Sequence, residues 1–292
     1  MRMNLEQNQQ TINIIKQTFS QEIFSKAISG RGKAVAVTVL GSGSKGNATV
    51  VHTGNSALLI DAGFSRTDML NRFSRTSIDI STIKGLLITH DHSDHIKGAR
   101  LIADHLGVST YATCMPANNE LTKQQFGAKP KKIIPGDKFV VDIFNVQSFS
   151  VPHDATNPVG FVIQVGDKRI GIATDLGHIT DLTKSCLSGC DAIIIECNHD
   201  ISMLQESRRP WPLKKRIMGK LGHLNNTDAI NTFDDIIHER TKVIILFHLS
   251  NNCNCPIKVA RLAENKLKEL ERSDIRILIA DQHEPLNTVW VA

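Results

Sequence analysis

From residue 34 onward the chain alternates short apolar runs with polar turns. Two of these runs, Ala192-Ile193-Ile194-Ile195 and Val243-Ile244-Ile245-Leu246, are apolar at every position. Because a strand covered on both faces has no polar side, these runs predict central β-strands. Runs rich in β-branched residues and bounded by turns predict strands at residues 34–40, 57–60, 85–89, 138–144, 160–165, 169–173, 191–196, 242–247 and 275–280.

Segments with helical periodicity separate these strands. They predict helices at residues 66–73, 95–106, 227–237 and 257–271. The last helix has an apolar stripe formed by Val259, Leu262, Ala263, Leu267 and Leu270. Strands interleaved with helices indicate an α/β fold in which sheets lie between helical layers.

The first 33 residues have a different pattern from the rest of the chain. They are rich in Gln, Asn and Ser, with apolar residues at helix-like spacing, and they end at Ser29-Gly30-Arg31-Gly32. We expect an N-terminal extension over residues 1–33, helical or flexible, and one domain over residues 34–292. The role of the extension is left open.

Composition narrows the class of protein. A chain of 292 residues with 41% hydrophobic and 22% charged residues is ordinary for a soluble enzyme. The net charge of +5 is a mild basic excess, compatible with a polyanionic substrate. Without a secretory signal, a long apolar segment or paired Cys-x-x-Cys spacing, we expect a reduced, cytoplasmic protein that makes no membrane contact.

The candidate chemistry begins directly after the predicted strand at 85–89, with His90, His92, Asp94 and His95. In an extended segment, residues i and i+2 point to one side, so His90 and His92 can bind one ion. A turn into a helix at Ser93 would bring Asp94 and His95 to a second position nearby. Imidazole with carboxylate suits zinc, manganese or iron better than magnesium or calcium.

Three further ligand-type residues follow apolar runs in the same way. They are His153, Asp175 and His248. Because α/β enzymes place their sites beyond the carboxyl ends of strands, this shared placement predicts that the three side chains join the motif around His90.

The motif Thr-His-x-His-x-Asp-His, followed in order by His153, Asp175 and His248, resembles the metallo-β-lactamase superfamily. Further short motifs make the chain similar to the YycJ/WalJ group of single-domain exonucleases, relatives of tRNase Z. These motifs are Ile60-Asp61-Ala62-Gly63, Leu40 to Asn47, Val151 to Ala155, Glu196-Cys197-Asn198-His199-Asp200, Trp211 to Lys214, Gly222 to Asn226 and His248-Leu249-Ser250. The resemblance covers residues 34–292 and implies a hydrolase domain with a four-layer αββα sandwich.

The resemblance also implies two divalent metal ions per chain, zinc or manganese. One ion would be bound by His90, His92 and His153 and the other by Asp94, His95 and His248. Asp175 would bridge them, and Asp61 would support the ligands from behind.

The implied activity is a two-metal phosphodiesterase, specifically a 5′-to-3′ DNA exonuclease that uses a metal-bridging hydroxide and serves DNA repair. Asp94 would orient or deprotonate the attacking water while remaining a ligand. His223 would protonate the leaving oxygen and Glu196 would orient it, although a histidine before a helix can also be a capping or surface residue. For His199, support of a ligand and contact with a phosphate are equally open.

A basic segment at residues 208–220 bears on the substrate, because it contains six basic residues and no acidic one. Lys214, Lys215 and Arg216 would follow a phosphate backbone and Trp211 would stack on a base. The alternative is a solvated basic helix face with a buried tryptophan.

Two other functions remain to be weighed against a nuclease. A hydrolase for a small thioester, lactone or lactam would use the same metal pair without needing the basic segment. A nucleic-acid-binding protein that has lost catalysis would be expected to lack some of the seven ligand-type residues, which are all present.

The chain departs from the YycJ/WalJ pattern at Cys253, which stands where that group usually has Asn. DNA versus RNA, strand polarity, the metal and the oligomeric state are not decided by the sequence.

Overall fold

A computed structural model describes residues 34–116 and 118–291 of the chain. The extension expected at residues 1–33 lies outside the described residues, so the boundary at residue 33 stays a prediction. The strands are β1 Val35–Gly41, β2 Ala48–His52, β3 Ala57–Ile60, β4 Ile83–Leu87, β5 Ser109–Ala112, β6 Pro130–Lys132, β7 Lys138–Val141, β8 Phe144–Ser150, β9 Val159–Val165, β10 Lys168–Ala173, β11 Ala192–Glu196, β12 Val243–Phe247, β13 Arg276–Ile279 and β14 Val289–Val291.

The described helices are mostly short. They are α1 Arg66–Phe73, α2 Ser93–Ile96, α3 Ala99–Leu106, α4 Asn119–Phe126, α5 Asp181–Leu187, α6 Ile201–Glu206, α7 Trp211–Ile217, α8 Asn226–Asn231, α9 Phe233–Ile236 and α10 Pro256–Glu269. A 3-10 turn covers Ile80–Thr82. None of these helices is long and apolar enough to cross a membrane.

The strands form two mixed seven-stranded sheets. Their orders are β14-β1-β2-β3-β4-β5-β6 and β13-β12-β11-β10-β9-β8-β7. In the first sheet β3 to β6 run parallel, and in the second β10 to β13 do. Parallel strands end together, so each sheet presents several carboxyl ends at one edge.

Three apolar clusters make the layers. Leu58 and Ile194 belong to the cluster that joins the two sheets face to face. The neighbouring Leu59 faces the other way, into a cluster with the helical layer of α1, α3 and α4, and Ile195 likewise packs towards α5 and α8 to α10. Both faces of the central strands are therefore buried, which explains their uninterrupted apolar runs and confirms the αββα sandwich.

Several predicted elements differ from the observed ones. The strand predicted at 138–144 is the hairpin β7–β8, because Asp142 turns the chain with φ 55° inside a run that looks continuous in hydropathy. The helix predicted at 95–106 is interrupted at Gly98 and the one at 227–237 at Thr232. The strands β2, β5, β6 and β14 and the helices α4 to α7 were not predicted, since elements of three to eight residues contain too few periods for a sequence pattern.

Candidate metal centre

The candidate site residues lie at the sheet edges where the parallel strands end. They come from both sheets, each at or within three residues of a strand end: Asp61 after β3, His90 after β4, His153 after β8, Asp175 after β10, Glu196 at the end of β11 and His248 after β12. His92 immediately precedes α2, and Asp94 and His95 belong to its first turn. The turn into a helix expected at Ser93 is thus present.

Three of these residues have a left-handed backbone. Asp61, Asp175 and His248 have φ angles of 59°, 48° and 58°. Such a conformation costs a non-glycine residue on the order of 1–3 kcal/mol, and it is concentrated at functional sites, where the surrounding structure enforces it. Here it turns the chain sharply at the strand end, so that the side chain is directed to the edge where the two sheets meet.

The first cluster consists of His90, His92 and His153, whose ring nitrogens lie within 4.8 Å of one another. His153 Nε2 is 3.2 Å from His92 Nδ1, while its Nδ1 donates to the Gly222 carbonyl at 2.9 Å. His90 Nε2 is buried and has no hydrogen-bond partner. Burial, above all, holds the pKa of His90 well below its usual range, which favours the neutral imidazole that binds metals.

The second cluster consists of Asp94, His95 and His248. Asp94 Oδ2 lies 3.3 Å from His248 Nε2 and 3.7 Å from His95 Nε2. Behind the cluster, Asp61 Oδ2 accepts from His95 Nδ1 at 2.7 Å and its other oxygen accepts from the Thr89 amide at 2.8 Å. Asp61 therefore fixes the ring of His95, as a residue supporting a ligand does.

Asp175 lies between the two clusters and is 1% exposed. Its Oδ2 is 2.5 Å from His95 Nε2 and 3.5 Å from His90 Nε2. Its Oδ1 is 2.9 Å from His248 Nδ1 but makes no hydrogen bond of acceptable geometry. Although burial raises the pKa of this carboxyl, His248 and His95 lower it well below its usual range, so Asp175 is a carboxylate.

The arrangement passes a chemical test for divalent cations. Buried polar atoms are nearly always hydrogen-bonded, yet His90 Nε2 and Asp175 Oδ1 are not, and both face the gap between imidazoles and carboxylates. Nitrogen and oxygen donors in this mixture fit zinc or manganese. The structure thus brings together all seven ligand-type residues predicted from the sequence.

Asn47 is a site residue that the sequence reasoning did not identify. Its Nδ2 lies 3.0 Å from His95 Nε2 and 3.3 Å from Asp94 Oδ2, and its backbone amide donates to the Asp94 carbonyl at 2.8 Å. The glycine-rich motif from Leu40 to Asn47 was the available signal, but its pattern alone does not indicate which residue Asn47 contacts. Asn198 similarly donates to the His248 carbonyl at 2.9 Å.

We predict that Gly63→Ala damages this support. The amide of Gly63 donates to the Asn47 carbonyl, and a Cβ at Gly63 would lie 1.6 Å from the Asp94 carbonyl oxygen. Since backbone must move, we expect a loss of about 1–3 kcal/mol in unfolding free energy, measured by urea denaturation, together with weaker metal binding. Gly54→Ala is the matched control, because a Cβ there meets nothing within 4 Å. Equal stability of the two variants would contradict the prediction.

The pair His223 and Glu196 lies beside the candidate ligands. His223 Nδ1 is 2.7 Å from Glu196 Oε1, and Oε2 of this fully buried glutamate accepts from the amides of Leu176 and Leu224. Burial lowers the pKa of His223, but Glu196 and Asp175 outweigh it and raise the pKa to about 9. The side chain of His223 stays 24% exposed, so a protonated imidazole oriented by a carboxylate faces the site.

These groups open into one cavity of about 190 Å³. Its lining includes His92, Asp94, Asp175, His223 and His248, together with His199, which precedes α6, and Arg209, Leu213 and Arg216 from the segment that follows. Cys253 also lines the cavity and is 1% exposed. The loop that contains Cys253 is held by the neighbouring Asn254, whose side-chain amide donates to the carbonyls of Cys197 and Asn198.

The basic segment differs in part from the expectation. Trp211 is 55% exposed, against the alternative of a buried tryptophan, and Lys215 Nζ lies 5.8 Å from its ring centroid. The phosphate contact expected of Lys214 is corrected by the structure, because this side chain is buried and its Nζ donates to the Gln205 carbonyl at 2.6 Å. Arg216 donates to Asp154 at 2.5 Å, so its charge is already paired.

Comparisons with known proteins agree with this geometry. The family model described as β-lactamase superfamily domain matches residues 57–249. The chain is 33% identical to the exodeoxyribonuclease YycJ of Bacillus anthracis over 84% of this chain and 89% of that protein. It is 34% identical to the exodeoxyribonuclease WalJ of Streptococcus pneumoniae over 80% of this chain and 84% of the relative. Among solved structures, the short form of human tRNase Z has a TM-score of 0.61 at 15% identity, covering 88% of this chain and 99% of that one.

Proposed function

This chain belongs to the metallo-β-lactamase superfamily and is a metal-dependent hydrolase, and from that premise we propose that it is a two-metal DNA exonuclease. The observation on which the proposal depends most is that one cavity is lined by Asp94, Asp175 and His248 and also by His223, which the buried Glu196 holds from behind. DNA as the substrate is supported by two relatives, both exodeoxyribonucleases, that align with this chain over most of their length. We propose 5′-to-3′ polarity, a role in DNA repair and, given the free cysteines, a cytoplasmic location.

The residues have separate proposed roles. One cation would be held by His90, His92 and His153, and the other by Asp94, His95 and His248. Asp175 would contact both cations. When bound, zinc or manganese would lower the pKa of water and neutralise charge on the phosphodiester. Asp94 would orient the attacking water. His223, held by Glu196, would give its proton to the leaving oxygen, as a positioned general acid does.

The contacts with the strand outside the cavity are proposed for Trp211 and Lys215. Both are exposed on α7, where an indole ring can stack on a base and an ammonium can neutralise a phosphate. Lys214 and Arg216 are less suited, since the first is buried and the second is paired with Asp154.

The decisive experiment measures turnover of 5′-labelled single- and double-stranded DNA and RNA with manganese or zinc supplied. We expect mononucleotides released successively from the 5′ end of DNA. A Trp211→Ala, Lys215→Ala double variant should raise KM for DNA and leave bis(p-nitrophenyl) phosphate hydrolysis unchanged, because neither residue lines the cavity in which the small ester would bind. Cleavage of thioesters, lactones or lactams without cleavage of any nucleic acid would favour the small-molecule hydrolase and reject the nuclease.

A further inference from the structure

Five buried side-chain atoms in the described part of the chain lack a hydrogen-bond partner. They are His90 Nε2, Thr174 Oγ1, Asp175 Oδ1, His199 Nδ1 and Arg209 Nε. Those of His90 and Asp175 belong to the metal centre. His199 and Arg209 both line the cavity beside it. Because an unpaired buried polar atom costs about 1–3 kcal/mol, two in one cavity indicate a ligand that pairs with them.

Arg209 is the cavity arginine whose charge is free. Of the two arginines lining the cavity, Arg216 is paired with Asp154, whereas no carboxylate among residues 34–116 and 118–291 forms a salt bridge with Arg209. A guanidinium with a buried, unpaired Nε–H is suited to an anion with two or more oxygens.

His199 complements this charge with a rigid polar group. It is 1% exposed, and its carbonyl is held by the Asn226 amide at 2.9 Å. Burial lowers the pKa of His199 to about 4, so near neutral pH the ring is an uncharged imidazole with one N–H donor. The hydroxyl-bearing residues Ser44 and Ser250 line the same cavity.

We infer that Arg209 and His199 form a phosphate-binding subsite that holds a second phosphate of the strand while the metal centre holds the scissile one. This inference rests on the proposed nuclease function and adds the group that the cavity recognises. The cavity of about 190 Å³ is smaller than pockets that enclose whole ligands, which measure about 300–1,000 Å³. It accommodates a phosphate while the bases stay outside, so strands of any base sequence are accepted.

The test compares a protein variant with a chemical change in the DNA. The 292-residue chain, loaded with metal, binds a 3′-fluorescent single strand whose scissile linkage is a slowly cleaved phosphorothioate, and affinity is read by fluorescence anisotropy. Each neighbouring linkage is replaced in turn by an uncharged methylphosphonate, and the 5′-terminal phosphate is present or absent. These arms distinguish a terminal monoester from an internal diester as the occupant.

We expect Arg209→Gln to raise the Kd for the fully charged strand about ten- to a hundredfold, as loss of a charge-assisted hydrogen bond does. Removing the charge at one particular phosphate should raise the Kd of the wild-type protein by the same factor. The same change should leave the Kd of Arg209→Gln unchanged, because the contact is already lost. Arg208→Gln is the matched control, since Arg208 is exposed and does not line the cavity. His199→Gln should repeat the non-additivity at the same phosphate.

The subsite would be overturned if the loss of affinity from Arg209→Gln and the loss from the methylphosphonate multiplied at every phosphate position. An unchanged Kd for Arg209→Gln would overturn it as well. If Arg209→Gln lowers the melting temperature, Arg209→Lys retains the charge without Nε and should show a smaller loss at the same phosphate. If the non-additivity between Arg209→Gln and one phosphate is observed but the wild-type protein cleaves no nucleic acid, the proposed function is rejected and the subsite is retained. Wild type that cleaves DNA while Arg209→Gln binds equally well would reject the subsite alone.

Discussion

Asp175→Asn should abolish both metal binding and catalysis. The carboxylate of Asp175 lies 2.5 Å from His95 Nε2 and 3.5 Å from His90 Nε2, so it contacts a proposed ligand of each cation. Replacing one oxygen by an amide removes the negative charge that both cations would share. We expect metal content below one ion per chain by mass spectrometry and at least about a thousandfold loss of DNA turnover, because metal ions contribute several kcal/mol to such reactions.

The fold should survive this change. Asparagine tolerates the left-handed backbone that Asp175 adopts at φ 48°, so the turn after β10 needs no rearrangement. Asp167→Asn is the matched control: the same chemical change at an exposed position in the turn between β9 and β10. A variant with two retained cations and near-normal turnover would remove Asp175 from the metal centre.

His223→Ala should separate catalysis from metal binding. Because His223 is held by Glu196 and is not one of the seven proposed ligands, the variant should keep its cations. Loss of a general acid is expected to lower kcat for DNA about 10²- to 10⁴-fold. The loss should be much smaller for bis(p-nitrophenyl) phosphate, whose leaving group needs no proton.

The exposed His105 near the end of α3 provides the control for His223, and His105→Ala should behave as wild type. Metal content is measured on the same samples as turnover. An equal loss on DNA and on the p-nitrophenyl ester would mean that His223 acts on the metal ligands or the fold and donates no proton in the reaction.

The predictions from the sequence succeeded where the structural information is local. Residues two apart on an extended chain share a side, which is why the segment from His90 to His95 indicated two neighbouring ligand positions. The position of a ligand-type residue directly after an apolar strand is also local, and it correctly grouped His153, Asp175 and His248 at one edge. The apolar runs around Ile194 and Ile245 indicated strands buried on both faces for the same reason.

The predictions failed or were silent where the outcome depends on residues far apart in the chain. Asn47 reaches Asp94 only because the loop after β1 packs on α2, a contact across 47 positions. Lys214 looked like a surface cation, but the packing of α7 buries it against the Gln205 carbonyl. Arg216 appeared available to a phosphate until the structure placed Asp154 beside it.

The sequence by itself determined the types of the candidate ligands, their order and their position at strand ends, because these follow from backbone periodicity and side-chain chemistry. Only the tertiary structure decided which polar groups are already paired and which remain free in the cavity. Pairing depends on distances between separate loops, and those distances are set when the two sheets pack against each other. For this reason the site around Thr89 to His95 could be predicted from its residues, whereas the unpaired Arg209 and His199 could not.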